Sequence, residues 1–313
     1  MKFTEVYSYG YVLSETKHGV TVFTPEGKVH VEGSLFLEGS GRLSFTAVRN
    51  LLKQGKSVVV KVGGRRFITF FMEDGHVYRL VLKQLETINT PSRRIHIAYK
   101  ILEAATLNKA WLLRTLGLKQ ESRKIIEMLP YFRDYDKTLD LMGLEAVVTR
   151  EYYEALRAKI PEPYLFETRT RRPPRDHFSA ILNLMNMWLY DICLEEIVKH
   201  GLDPRVGFLH APFRDRVSLA LDLAEEFKQP VVDIVAVALL ASRGLSIQRD
   251  FRYSGDAIYL SKSGMKKVWR AFNQRLELRK NGLKLRALIG RQVKNLVDFI
   301  EGRCMEYEPF IIE

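Results

Sequence analysis

The chain has 313 residues, 46% of them hydrophobic, which is enough to bury two cores and excludes a disordered polymer. Lys plus Arg outnumber Asp plus Glu by 49 to 37, a net +12 with a pI near 9.6, so an anionic partner such as nucleic acid or an acidic membrane surface is favoured. Two cysteines, Cys193 and Cys304, with no Cys-x-x-Cys pair exclude a disulfide framework and a zinc knuckle, and both read as inert core thiols.

The opening residues MKFTEVYSYGYVLSE lack a signal-peptide core, and the apolar run Ile234–Ala241 falls far short of the ~20 residues of a membrane span. A soluble, cytoplasmic protein with no membrane partner is expected. From Met1 to Ile88 the pattern is short β-type runs cut by turns: Val20 to Thr24, Lys28 to Val31, Ser57 to Val62, Phe67 to Phe71 and Val77 to Leu82. Pro25-Glu26-Gly27, Gly63-Gly64 and Glu73-Asp74-Gly75 supply the turns. One helix interrupts, with Ser44 as N-cap, Val48, Leu51 and Leu52 on one face and Gly55 as its stop.

Near Asn89-Thr90-Pro91-Ser92 the apolar period changes from two to about 3.6, with Ser92 as the expected N-cap of a long helix. Ile95, Ala98, Ile101, Leu102 and Ala105 recur at helical spacing, and a second helix spans Lys137 to Lys159. In that helix Glu145, Thr149 and Tyr152 stand at i, i+4 and i+7 and share a face. Pro161 and Pro163 end it, and Arg169 to Asp176, RTRRPPRD, is a basic, proline-stiffened loop. The expected class is α+β: a small, mostly-β N-terminal domain, 1–88, and a larger all-α domain, 92–313.

Within Gly201 to Asp233 an apolar run, Gly207-Phe208-Leu209, ends on His210, and Ala211-Pro212 breaks the chain before the next helix. That helix carries Asp222 and Glu225, three residues apart and so on one side, placed to converge with His210 on a metal. Each residue also has a plainer reading. Glu145 alone reads as an exposed helix carboxylate, Asp222 with Glu225 as the solvated side of an amphipathic helix, and His210 equally as a satisfied core histidine. Tyr152 reads equally as a buried structural tyrosine and as a neighbour of the metal. One imidazole with two or three carboxylates suits Mn²⁺ or Mg²⁺ better than zinc, and such an ion suits phosphodiester chemistry. His-Glu-x-x-His and Gly-x-x-x-x-Gly-Lys-Ser/Thr are both absent.

Between Gly264 and Lys294 ten Lys or Arg residues stand against one acid, Glu277, so the positive charge is concentrated. Arg171, Arg172, Arg175, Lys266, Lys267 and Arg270 are the candidate DNA contacts, while Trp269, Phe272 and Leu276 read as core packing ahead of base stacking.

Three motifs in this order resemble the CRISPR-associated integrase and endonuclease family, the "Cas-one" subunit of spacer acquisition. Gly143-Leu144-Glu145-Ala146 with Arg150 and Tyr152 is similar to its first glutamate motif, Gly201-Leu202-Asp203-Pro204 to His210 resembles its histidine motif, and Asp222 to Glu225 with Phe227, Pro230 and Asp233 its acidic helix. The resemblance implies that Glu145, His210 and Glu225 ligate Mn²⁺ or Mg²⁺, with Asp222 in a supporting or alternative role. It also implies a homodimer through the β domain, a complex with the small "Cas-two" protein, and insertion of short DNA duplexes (spacers) into a repeat array by transesterification. Lys228 stands where the family commonly has arginine, Glu226 where it has proline and Ser179 where it has asparagine. The alternative from another class is a non-catalytic, basic nucleic-acid-binding scaffold.

Overall fold

The computed structural model describes residues 3–70, 76–134, 138–164, 166–214 and 216–312. The chain forms two compact units, one of residues 1–84 with 194–203 and one of 85–193 with 204–313.

The first unit is built on a six-stranded mixed sheet. Its strands are β1 (Phe3–Thr16), β2 (Gly19–Thr24), β3 (Gly27–His30), β4 (Ser34–Leu43), β5 (Val58–Lys61) and β6 (Phe67–Phe70), in the order β3-β2-β1-β4-β5-β6. β1 runs parallel to β4 from Phe3↔Ser34 to Leu13↔Leu43, and β4 parallel to β5, while β2, β3 and β6 join antiparallel. The inward set on β1 is Val6 and Ser8, then Tyr11 and Leu13. Its phase slips at Gly10, which takes φ +85° in a bulge between Tyr9 and Tyr11. Helix α1 (Phe45–Lys53), capped by the Ser44 hydroxyl on Ala47 N, buries Ala47, Val48 and Leu51 in the same core as Val22, Leu35 and Val58. Gly63 and Gly64 turn β5 into β6 with positive φ, as their spacing predicts. Phe71 and the turn expected at Glu73-Asp74-Gly75 lie outside the described residues.

One expected strand is a helix. Val77 to Leu82 lies in α2 (His76–Asn89), where Leu80, Gln84 and Thr87 are buried at helical spacing. The β-branched and aromatic residues there suggested a strand, but the burial period extends past them and decides the element.

The second unit is largely helical. Around α3 (Pro91–Thr115) pack α4 (Lys119–Ile126), α5 (Thr138–Arg157) and α7 (Ser218–Glu225), with a 3₁₀ turn at Leu129–Asp134 and a π-helical turn at Lys228–Asp233. The N-cap of α3 is Thr90 and not Ser92, because Pro91 fills the first helical position, where its missing N–H has no partner to lose. α6 (His177–Lys199) precedes α7, and α8 (Ile234–Ala241) buries Val235, Ala236, Val237 and Leu240. α9 (Ile247–Asp250), α10 (Lys262–Glu277) and α11 (Leu285–Ile300) complete the helices. The unit is not wholly α. Two hairpins, β7 (Phe251–Ser254) with β8 (Ala257–Leu260) and β9 (Arg279–Lys280) with β10 (Leu283–Lys284), interrupt it. Both carry turn signals in the sequence, Ser254-Gly255-Asp256 and Asn281-Gly282.

Candidate active site

The His210 loop is folded onto the start of α7. A Cβ on Gly207 would come within 2.8 Å of the His210 carbonyl and of Ser218, so only glycine allows this approach. Asp222, fully buried on α7, then gathers the loop: Oδ2 accepts from Phe208 N (2.6 Å) and Leu209 N (3.0 Å), and Oδ1 from His210 N (2.9 Å) and His210 Nδ1 (2.7 Å). With three backbone N–H groups on the same carboxylate, the imidazole hydrogen sits on Nδ1 and leaves Nε2 for a ligand. Burial opposes charge on His210, but Asp222 and, less strongly, Glu225 outweigh it and raise its pKa above the usual histidine value.

Glu225 is buried one turn further along α7 and forms an ion pair with Lys228. Burial works against its charge, yet the ammonium groups of Lys228 and Lys109 and the His210 ring prevail and hold its carboxyl at about 2. Glu145, on α5, is partly exposed at 28%. Its Oε1 accepts from Thr149 Oγ1 (2.5 Å) and lies 3.5 Å from Lys109 Nζ. Lys109, on α3, is 3% exposed, and its Nζ has no hydrogen bond among the described residues. A third carboxylate, Asp233, ends the π turn. Its Oδ2 accepts from the buried Tyr152 hydroxyl (2.8 Å), and burial lifts its pKa to about 6 against the pull of Tyr152, Lys228, Arg169 and Lys109.

Spacing and resemblance thus pointed at residues that meet in one electrostatic neighbourhood. Asp222 and Glu225 are not the solvated face of an amphipathic helix, since both are buried and spoken for. Asp222 stands behind His210 with both oxygens occupied, and Tyr152 serves Asp233. Among the described residues no three His, Cys, Asp or Glu side chains stand together as a ready cation cage, because the carboxylates of Glu145 and Glu225 are each paired with an ammonium. Sequence reasoning passed over Lys109. A buried lysine in an alanine-rich helix has the same one-letter signal as a solvated one.

The basic segments are mixed. Arg171, Arg172 and Arg175 are exposed, whereas Arg169 turns inward to Asn183 Oδ1 (2.6 Å) and the Thr170 carbonyl. Asp176 closes the loop by capping α6 at Ser179 N (2.5 Å). On α10, Lys266 and Arg270 are exposed and have no ion pair among the described residues, but Lys267 is bound to the buried Asp250 at 2.6 Å. Phe272 and Leu276 are core, while Trp269 is 49% exposed and meets Trp188 edge-on at 4.8 Å. Cys193 is buried but Cys304 is exposed, because the chain leaves the core after α11 through Gly302, at φ +76°.

Among known sequences, a family model described as CRISPR associated protein Cas1 matches residues 6–274. The CRISPR-associated endonuclease Cas1 of Pyrococcus horikoshii is 31% identical over 238 residues, 74% of this chain and 72% of that protein. Two solved structures share the fold. A casposase bound to its integration product covers all of both chains with a TM-score of 0.84 at 22% identity. A partial Cas6-RT-Cas1–Cas2 complex gives 0.80 at 20% identity over 99% of both chains.

Proposed function

The chain belongs to the Cas1 family of CRISPR-associated proteins, and we propose that it is a divalent-cation-dependent DNA integrase and endonuclease of CRISPR adaptation. In this reading it acts in the cytoplasm and joins short duplexes (spacers) to a repeat array by transesterification. The observation that carries the reading is the patch in which the partly exposed Glu145 and the buried Glu225 are each met by an ammonium beside an imidazole anchored through Nδ1. Two carboxylates and one imidazole nitrogen, without a thiolate, suit Mn²⁺ or Mg²⁺. Glu145, Glu225 and Nε2 of His210 would hold the ion, with Lys109 and Lys228 yielding their carboxylates to it. Such an ion polarises a phosphoryl oxygen and lowers the pKa of a bound water or hydroxyl.

The protein's own groups do the rest. Asp222 fixes the tautomer and plane of His210, and Tyr152 holds Asp233 at the floor of the site. The exposed Arg171, Arg172, Arg175, Lys266 and Arg270 neutralise the DNA backbone. In strand transfer a 3′-hydroxyl oxygen bonds to phosphorus as the bond to the target strand's 3′-oxygen breaks. The attacking hydroxyl loses a proton and the leaving oxygen gains one, so the number of phosphodiester bonds is conserved; with water as nucleophile the same displacement cuts the strand.

The likeness to a casposase solved with its integration product supports DNA as substrate, and the likeness to a Cas1–Cas2 assembly supports a small Cas2 subunit as partner. A homodimer through the β unit belongs to the same proposal, supported by the exposed Tyr7, Tyr9 and Val12 of β1. No helix among the described residues is long and apolar enough to cross a membrane. The test is incubation with branched and duplex DNA in Mn²⁺ or in EDTA. Joining or cutting that survives EDTA, or survives His210→Ala, overturns the cation-dependent reading, and binding with no strand cut or joined under any condition favours the scaffold.

A further inference from the structure

We propose that Lys109 is a charged residue of the strand-transfer site: it neutralises Glu145 in the cation-free protein and meets the non-bridging oxygens of the scissile phosphate once a divalent cation takes that carboxylate. The inference rests on the reading of the site given above, and it assigns a role to a residue outside the three sequence motifs.

The first ground is the state of the ammonium. Lys109 is 3% exposed and its Nζ has no hydrogen bond among the described residues. Its ion pair with Glu145 spans 3.5 Å, well beyond the ~2.7–2.9 Å of a charge-assisted hydrogen bond. A buried ammonium left without hydrogen bonds is costly. Lys228 shows what a settled lysine looks like here, closed tightly on Glu225 and lying 5.8 Å from the Tyr190 ring centre. Lys109 instead faces several carboxylates at once, paired with Glu145 and adding positive potential at Glu225 and Asp233.

The second ground is how the backbone beneath it is held. Asn108 donates to the Glu226 carbonyl (2.7 Å) and the Phe310 carbonyl (3.0 Å) and accepts from Ile312 N (2.8 Å). One residue away from Lys109, the α3 backbone is therefore tied both to the end of α7 and to the C-terminal segment. Adjacent residues point to adjacent tasks: Asn108 and Glu226 meet the C-terminal segment, while Lys109 and Glu225 face the site. The ammonium moves on its own four-carbon stem above a fixed backbone. When a cation occupies Glu145, that ammonium loses its carboxylate, and the anion the reaction brings to it is the phosphodiester.

The experiment compares full-length wild type with Lys109→Met and Lys109→Arg. Mn²⁺ binding is followed by calorimetry without DNA, and joining by single-turnover kinetics at saturating Mn²⁺. Lys109→Met is expected to bind Mn²⁺ as tightly as wild type or several-fold tighter, since a competing ammonium is gone, and yet to join strands about 100-fold more slowly. Lys109→Arg, which keeps the charge, should recover part of the rate. Wild-type joining by Lys109→Met at saturating Mn²⁺ overturns the proposal, leaving Lys109 a counter-ion only. Slower joining with weaker Mn²⁺ binding also overturns it, marking a structural support. If Lys109→Met melts early, Lys109→Gln carries the same two expectations. A wild-type protein that binds no Mn²⁺ would remove the reading of the site itself, so the two failures are told apart by the first titration.

Discussion

Glu225 and Glu226 are consecutive and both buried, yet they titrate at opposite ends of the carboxylate range. Glu225 faces the site, where ammonium groups overcome burial and hold it at about 2. Glu226 faces the C-terminal segment, where burial prevails over hydrogen bonds from Tyr307 and Phe310 N and lifts it to about 8. Desolvation raises both; a neighbouring cation separates them. One end of α7 therefore serves two regions: a charged pocket in which Glu225 is paired with Lys228, and a clasp that stacks Phe310 on Phe227 at 4.6 Å and fixes the helix from behind.

The largest effect expected is from breaking the charged side. Glu225→Gln should reduce joining to background and, by leaving Lys228 buried without an anion, destabilise the protein by about 3 kcal/mol. Single-turnover joining and urea midpoints measure the two consequences. Glu145→Gln should also abolish joining but cost far less stability, because Glu145 is partly exposed and its ion pair to Lys109 is long. Equal stability losses would contradict the difference drawn between the two carboxylates.

Next in size is Asp222→Asn. An amide cannot accept all four of the donors that Asp222 collects, and its NH₂ would face backbone N–H groups. Cation affinity is expected to fall about 10- to 100-fold through misorientation of His210, as calorimetry with Mn²⁺ would report. An unchanged affinity would deny Asp222 its supporting role.

Much of this site was legible because its elements are local. The His210 turn, the i, i+3 pair on α7 and the shared face of Glu145 and Tyr152 are short-range patterns, and the helices that carry them form as their periodicity predicts. What was not legible depends on long-range placement. The parallel pairing of β1 with β4 leaves no local turn signal, and the bulge at Gly10 breaks the alternation that would have marked β1 as one strand. α2 was mistaken for a strand because its β-formers cluster at one end. The clasp of Glu226 by Tyr307 and Phe310 joins residues 81 and 84 positions apart and has no periodic signature.

The pH dependence of stability sharpens the contrast between the two glutamates. Glu226 holds its proton more tightly when folded than when unfolded, so its contribution is full below the ordinary carboxylate pKa. It is lost as pH rises towards about 8, with a slope of up to about 1.4 kcal/mol per pH unit. Glu225 runs the other way: its contribution is present above the ordinary carboxylate pKa and is lost as pH falls towards about 2. Urea midpoints of the cation-free protein between pH 4.5 and 8 should decline in wild type and decline less steeply in Glu226→Gln, where Asp233, lifted to about 6, and His210, raised above the usual histidine value, still release their protons late. A decline of the same steepness in both proteins would assign it to other groups.

The smallest effect tests the same rule at the surface, where Lys266 and Lys267 are also consecutive. Lys267 is paired with the buried Asp250, whose other bonds hold Ser246 N (2.7 Å) and Ser263 Oγ (2.8 Å), so its charge is committed to the fold. Lys266 is exposed and has no ion pair among the described residues. Lys267→Ala is expected to lower stability by about 1 kcal/mol, an amount reduced by solvent screening of a half-exposed lysine. Lys266→Ala should change stability by less than about 0.5 kcal/mol. It should instead weaken DNA binding uniformly across sequences and reduce the slope of log affinity against log salt by about one. If Lys267→Ala shifts the salt slope as much as Lys266→Ala, then pairing with a buried carboxylate does not remove a lysine from the DNA surface, and the rule drawn from Glu225 and Glu226 does not extend to the exterior.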